Sequence, residues 1–204
     1  MTAQLREVGF HISRYKVRKV MRQLKLFVMQ RRAYKSTTFR NYNDVVAKNR
    51  LKGNFHCQRK NQVWAGDITY IKTQKSWCYL AVIIDLWSKK VIGYHVSKQQ
   101  TQGLVINALK PALRTRLRNG EESLIFHSDR GAQYTAKAYQ KILMEHGITL
   151  SMSSTGACWD DIIVERFFGS IKNEWMLNSE YYNGLEVKKD VDILPIIFDL
   201  YRDR

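Results

Sequence analysis

The sequence predicts an α/β fold in which helices flank a mixed five-stranded sheet, preceded by a basic and mostly helical N-terminal arm. Two observations support this prediction. Three strand-like segments follow one another through short links between residues 63 and 96, which is typical of an antiparallel meander. Beyond them, helical and strand-like segments alternate, which indicates helices packed over a sheet of mixed strand direction.

Charge divides the chain into two predicted regions, residues 1–60 and residues 61–204. The first holds 16 basic and 2 acidic side chains, whereas the second holds 18 basic and 16 acidic ones. A basic segment of this kind suits a polyanion, because neutralised phosphates release counterions. We therefore expect residues 1–60 to bind DNA through a partial helix-turn-helix and a linker. A solvated tail or a membrane-surface patch is the alternative.

The arm begins with the end of one helix, a turn at Gly9 and a second helix that Ser13 caps. This second helix is predicted from Arg14 to about Leu26, with basic residues on most faces and one apolar stripe formed by Val17, Val20, Met21 and Leu24. A short helix, a turn and a basic helix outline a helix-turn-helix, although a solvated basic helix fits the pattern equally well. Residues 27–60 are interpreted as a linker that lies along DNA. The predicted DNA contacts in the second helix are Arg14, Arg18 and Arg22.

The body begins near Asn61, where strand-like and helical patterns replace the basic texture. Turn residues and hydrophobic periodicity set the boundaries, and Pro195 is expected to kink or break the last helix. The predicted strands are Val63–Lys72, Trp77–Asp85, Lys90–Val96, Leu124–Ser128 and Ile148–Met152. The predicted helices are Thr101 to about Arg118, Thr135–His146, about Asp160 to Leu177, and about Leu185 to Tyr201.

The cysteine pattern and the hydropathy of the chain indicate in which cellular compartment the protein is expected. Cys57, Cys78 and Cys158 are far apart and lack CxxC spacing, which argues against a zinc knuckle or a disulfide framework and fits a reducing cytoplasm. No apolar run has the form of a signal peptide or the length of a membrane span. We expect a cytoplasmic protein with no membrane partner.

Three acids occupy positions suited to a metal site. Asp67 interrupts an apolar strand, Asp129 ends a strand before a glycine-containing turn, and Glu165 lies in the first turns of a helix, with 35 residues between it and Asp129. A carboxylate buried in a strand is costly unless it is paired, hydrogen-bonded or bound to a cation. Oxygen ligands from separate elements suit Mg²⁺ or Mn²⁺. Two such ions can hold the attacking and leaving oxygens of a phosphoryl displacement.

Each acid also has a structural interpretation. Asp129 can cap a turn, Glu165 can be a surface residue of a helix, and Asp67 can pair with a lysine. Asp85, at the end of the second strand, either caps a turn or lies at the margin of the site. His127 is expected to be structural and to point to the opposite side of its strand from Asp129.

The sequences flanking these acids carry a family resemblance. The segments Val63–Tyr70, Tyr79–Gly93, His127–Tyr134 and Glu165–Lys172 occur in the order, and with the acid spacing, of the integrase catalytic core. The chain thus resembles the DDE transposases of bacterial insertion sequences, which are kin to retroviral integrases. The similarity covers roughly residues 61–200.

This resemblance implies an RNase H-like fold with Asp67, Asp129 and Glu165 as catalytic metal ligands. It also implies nicking at the ends of a mobile element, the terminal repeats, followed by strand transfer into target DNA. Lys172, two helical turns beyond Glu165, becomes a predicted phosphate contact. The family usually acts as a multimer on DNA, so a homo-oligomer associated with the bacterial nucleoid is expected.

Two departures from the family pattern bear on activity. Asp161 stands where the family usually has Asn, and it either raises the proton affinity of Glu165, perturbs metal binding or caps the helix. The chain also ends at Arg204 and starts inside the expected helix-turn-helix, so a truncated copy is expected. The main hypothesis is an active transposase. One alternative is a catalytically inactive DNA-binding remnant. The other is a plain RNase H-like nuclease, and the basic arm and the integrase-like flanking sequences argue against this second alternative.

Overall fold

The structure is a computed structural model that describes residues 2–26, 46–117, 123–153, 168–169 and 181–193. The chain forms two compact units that divide between Thr37 and Thr38. The division into a DNA-binding arm over residues 1–60 and a catalytic core over residues 61–204 stays a prediction. None of the helices described is long and apolar enough to cross a membrane.

The first unit contains two helices, α1 (Thr2–Glu7) and α2 (Arg14–Gln23). Gly9 takes a φ of +94° in the turn between them, and the Ser13 side chain accepts a hydrogen bond from the Lys16 N–H at 3.3 Å, as the predicted cap requires. Helix α2 ends before the predicted Leu26, because Lys25 adopts a left-handed φ of 54°.

The second unit is built on a five-stranded mixed sheet, as predicted. Its strands are β1 (Val63–Lys72), β2 (Trp77–Asp85), β3 (Val91–Ser97), β4 (Leu124–Ser128) and β5 (Ile148–Met152). They lie in the order β3-β2-β1-β4-β5. The first three strands form the expected antiparallel meander, and β4 and β5 extend the sheet in parallel with β1.

Each face of the sheet carries its own hydrophobic core, because alternate residues of a strand point to opposite faces. On one face, Trp64, Ala81 and Phe126 pack beneath α3 (Gln102–Leu117) and α5 (Lys137–Glu145). On the other face, called the acidic face below, Ala65 and Val82 pack with Phe168 and with α6 (Gly184–Val191).

Several predicted helices differ from the observed ones. The helix predicted over 135–146 is observed as α5, and a separate short helix, α4 (Ala132–Thr135), precedes it, because Ala136 leaves the helical conformation with a ψ of 128°. Helix α6 covers the start of the last predicted helix, whereas Pro195 lies outside the described residues. The helix predicted over 160–177 also lies outside them, except for Phe168 and Gly169, which are helical.

Residues 46–60, here called the strap, pack against the sheet. Val46 and Ala47 contact the core beneath α3 and α5, while Leu51 is buried on the acidic face. The strap therefore passes from one face of the sheet to the other. This part of the predicted linker belongs to the second unit because its apolar side chains complete both cores.

Candidate metal centre

Asp67 lies within β1, and Asp129 is the residue directly after the neighbouring parallel strand β4. In the register of β1 and β4, Gly66 is paired with Ser128, and each acid directly follows its member of that pair. Neighbouring strands are about 4.8 Å apart, so two carboxylates in this arrangement can share a cation. The tertiary structure thus brings together two acids that are 62 positions apart in the sequence.

Strand alternation places both acids on the acidic face. Asp67 is two residues beyond Ala65, whose side chain is buried in the core of that face, and Ala65 is paired with His127. Asp129 is two residues beyond His127. Because residues two apart along a strand share a face, the two carboxylates extend the row begun by Ala65 and His127.

Local hydrogen bonds orient both carboxylates. The Oδ1 atom of Asp67 accepts a hydrogen bond from the Ile68 N–H at 2.6 Å, and that of Asp129 accepts one from the Gly131 N–H at 2.9 Å. A Cβ atom at Gly131 would lie 2.9 Å from the same Asp129 oxygen, so a larger residue would displace this carboxylate. The Nε atom of the neighbouring Arg130 donates a hydrogen bond to the Ser153 carbonyl at 2.6 Å.

The environment of Asp129 favours a bound cation. Burial raises the pKa of the Asp129 carboxyl, and the hydrogen bond from Gly131 lowers it only in part. A carboxylate that has lost water gains most from an opposite charge at short range. Two oxygen donors, one of them desolvated, fit a hard divalent cation such as Mg²⁺ and provide no nitrogen or sulfur ligand for zinc.

The raised pKa of Asp129 predicts how metal-free stability depends on pH. Below the ordinary value of 3.8 the carboxyl is protonated in both the folded and unfolded states, so no penalty exists. As pH rises through the window between 3.8 and the higher folded pKa, ionisation costs the folded state free energy. We expect Asp129→Asn to have the higher Tm at pH 7 in EDTA, by a few degrees, with the difference vanishing near pH 3. Parallel Tm curves for both proteins would contradict this.

Asp85 is a structural residue. Its side chain is fully buried, and its two oxygens accept hydrogen bonds from Asn61 N at 3.0 Å, Ser88 N at 3.0 Å and Ser88 Oγ at 2.5 Å. These contacts close the turn after β2 and fix the residues that enter β1. Of its two sequence interpretations, the turn cap describes the observed contacts.

The orientation predicted for His127 is wrong, although the residue is structural. His127 is paired with Ala65 and Ser151 and lies on the acidic face, on the same side as Asp129. Its Nδ1 atom is 2.9 Å from Ser151 Oγ, and its ring meets the Phe55 ring edge-on at 5.8 Å. Sequence reasoning missed Ser151 and Phe55, since neither has a motif that signals this packing.

Glu165, the third predicted metal ligand, is not among the described residues. No group of three His, Cys, Asp or Glu side chains suited to a metal is found in residues 2–26, 46–117, 123–153, 168–169 and 181–193. Glu165, Asp161 and Lys172 lie outside these ranges. Phe168, three positions after Glu165, is buried on the acidic face.

Comparison with known proteins agrees with this geometry. Residues 58–158 match the model of the integrase core domain family, a segment that includes both Asp67 and Asp129. The chain carries an integrase core domain. The transposase InsF of insertion sequence IS3A from Escherichia coli strain K12 is 38% identical over 189 residues, which cover 93% of this chain. The chain spans 65% of the length of that relative.

Solved structures show the same fold as this integrase core. The catalytic domain of the Mos1 mariner transposase superposes with a TM-score of 0.56 at 19% identity, over 67% of this chain and 70% of that domain. The simian T-cell lymphotropic virus intasome contains a chain that superposes with a TM-score of 0.53 at 22% identity, over 72% of this chain and 52% of that one. The predicted RNase H-like architecture is thereby confirmed.

The basic residues predicted to contact DNA from the arm are accessible. Arg14, Arg18 and Arg22 recur every four residues along α2 and are exposed in the N-terminal unit. Val17 is the buried member of the predicted apolar stripe, whereas Val20 and Leu24 are 38% and 63% exposed within the part of the chain that the structure describes. The role of these arginines in binding DNA stays a prediction.

Proposed function

We propose that this chain is the catalytic part of a transposase that cleaves DNA strands and joins them to target DNA. The observation that carries the proposal is the pair formed by Asp67, within β1, and Asp129, directly after the parallel strand β4, inside the segment that matches an integrase core. The similarity to an insertion-sequence transposase supports DNA as the substrate. The bacterial relative favours action in the bacterial cytoplasm, and a homo-oligomer on the ends of the element is part of the proposal.

Asp67, Asp129 and Glu165 are proposed as the catalytic ligands of Mg²⁺ or Mn²⁺, with two ions in the active complex. The Mos1 catalytic domain has been solved with Mg, at a TM-score of 0.52 to this chain, which supports this choice of metal. When bound, such ions stabilise charge on the phosphate and activate the attacking hydroxyl. Lys172 and the arginines of α2 are proposed to contact DNA phosphates.

The residues of the chain set the geometry of this reaction. The Gly131 N–H holds the Asp129 carboxylate in one orientation, and the Ile68 N–H does the same for Asp67. Because the strands fix the spacing of the two acids before DNA arrives, little reorganisation is required at the reacting phosphate. Asp161 is proposed to modulate the charge of Glu165, from four positions earlier in the sequence.

The test is strand nicking of a labelled duplex that carries the terminal repeat, in Mg²⁺ or Mn²⁺, by the wild-type chain and by Glu165→Gln. We expect metal-dependent nicking by the wild type and a loss of about 1000-fold in the variant, because one carboxylate ligand is removed. Asp161→Asn is the companion variant, in which cleavage should be retained or raised.

If the wild type and both variants bound the duplex but did not cleave it, the other hypothesis, an inactive DNA-binding remnant, would be supported. Equal cleavage by wild type and Glu165→Gln would overturn the assignment of Glu165. Nicking that is equal in EDTA and in Mg²⁺ would overturn the metal mechanism itself.

A further inference from the structure

The strap presents an unusual concentration of positive charge close to the acids. Residues 46–66 contain no Asp or Glu, although six of the residues 46–60 are Lys, Arg or His. Lys48, Arg50 and Lys52 are exposed, and none of them forms an ion pair within the described part of the chain. Uncompensated cations at successive alternate positions suit a ligand with regularly spaced negative charges.

Specific contacts fix the strap to the acidic face. The backbone N–H of Arg50 donates to Ser151 Oγ at 2.9 Å, and the same oxygen lies 2.9 Å from His127 Nδ1. Leu51 is buried in the core with 8% exposure, and Phe55 packs edge-on against the His127 ring. The strap is therefore held by buried hydrogen bonds and apolar contacts rather than by charge.

The turn of the strap is also defined by its sequence. Asn49 Oδ1 accepts hydrogen bonds from the N–H groups of Leu51 at 3.1 Å and Lys52 at 2.9 Å. Lys52 and Gly53 then take left-handed φ values of 49° and 81°. This backbone directs Leu51 inward while Arg50 and Lys52, on either side of it, remain exposed.

Ser151, which accepts the hydrogen bond from the strap, is close to the candidate metal centre. Ser151 is paired with His127, and Asp129 is two residues beyond His127. A strand spacing of about 4.8 Å and a rise of about 3.3 Å per residue place the Arg50 backbone within roughly 14 Å of Asp129. That distance corresponds to about four base pairs of duplex, at about 3.4 Å of axis each.

We propose that the strap is a phosphate clamp: Arg50 and Lys52 bind the DNA backbone within about four base pairs of the phosphodiester that Asp67 and Asp129 hold. The inference rests on the proposed function, and it adds a second, rigid DNA contact that is part of the catalytic unit. Arg50 and Lys52 are positioning residues, since they act on the backbone beside the reacting phosphate. Ser151 and His127 couple the clamp to the strand that carries Asp129.

The experiment compares two double variants of the full chain that lose the same charge. Arg50→Ala/Lys52→Ala removes the clamp, whereas Lys137→Ala/Lys141→Ala removes two exposed cations from α5, on the opposite face of the sheet. Binding of a labelled terminal-repeat duplex is measured in EDTA between 50 and 300 mM salt, on the order of physiological strength. Single-turnover nicking in Mg²⁺ at saturating DNA is measured beside it.

For the strap variant we expect affinity to fall about tenfold and the slope of log K against log salt to shrink by about 1.8, since two phosphate contacts are lost. Nicking at saturating DNA should fall about tenfold as well, because the bound backbone is less well positioned. The α5 variant should match the wild type in slope and in nicking. A purely structural role of the strap would lower the Tm without this difference in slope.

Equal slopes and equal nicking for the two double variants would overturn the clamp while leaving the proposed function intact. Tight binding without nicking by the wild type would count against the proposed function. The salt slopes of the two double variants would still show whether Arg50 and Lys52 bind DNA phosphates. A wild type that does not bind the duplex in EDTA would overturn both proposals.

Discussion

Asp129→Asn is expected to reduce metal-dependent DNA nicking by on the order of 1000-fold while DNA affinity changes less than about threefold. The variant removes the negative charge of a metal ligand, and several kcal/mol of stabilisation of the reacting phosphate depend on the bound ions. The amide oxygen can still accept the hydrogen bond from the Gly131 N–H, so the local fold persists. Nicking rates and binding isotherms on the same labelled duplex would measure the two effects separately.

Glu145→Gln is the matched control for this experiment. Glu145 lies at the exposed end of α5, on the face of the sheet opposite the acids, and the substitution removes the same charge. Wild-type nicking is expected of this variant. If Asp129→Asn lost binding and nicking to the same extent, Asp129 would have to be reassigned as a structural residue.

Gly93→Ala should destabilise the second unit by about 2–3 kcal/mol, which lowers the Tm by roughly 5–10 °C. Gly93 lies in β3 directly against α3, and an added Cβ atom would overlap the carbonyl oxygen of Ala108 and crowd the Ala112 methyl group. Backbone atoms of a helix cannot yield like a flexible side chain, so α3 would have to move away from the sheet. Thermal unfolding followed by circular dichroism would detect the change.

Gly103→Ala separates this steric effect from the general effect of adding a methyl group. Gly103 lies near the start of α3, where, among the residues that the structure describes, a Cβ atom would meet only Thr101 Oγ1, at 3.5 Å. Because alanine favours the helix over glycine by up to about 1 kcal/mol, this variant should be as stable as the wild type or slightly more so. An equal loss of Tm in both variants would show that close packing at Gly93 is not the cause.

The sheet could be predicted from the sequence because its signals are local. Alternating or continuous apolar runs, bounded by turn residues, define β1, β2, β4 and β5 at their observed limits, and only β3 is displaced by one residue. The break between α4 and α5 was not predictable in this way. Ala136 favours a helix by itself, and it is the packing of Tyr134 and Tyr139 against Phe126 that accompanies the break.

In the candidate site, too, some features were predicted from the sequence and others came only from the fold. Asp67 and Asp129 were predicted as partners from the sequences around them, and the parallel pairing of β1 with β4 supplies their proximity. Glu165 stays a prediction because it lies outside the described residues. The face on which His127 lies was predicted wrongly, although the two-residue period of a strand already implied that it shares a side with Asp129.

By itself, the sequence determined the strands, the basic character of the arm and the acids suited to metal, because each depends on residue type and short-range spacing. Only the tertiary structure decided that residues 46–60 leave the predicted linker and pack beside those acids. Leu51, Phe55 and the Arg50 N–H find their partners in Ser151 and His127 and in the core of the acidic face. Contacts between residues about one hundred positions apart leave no local pattern in a sequence, so the position of the strap could be found only in the folded chain.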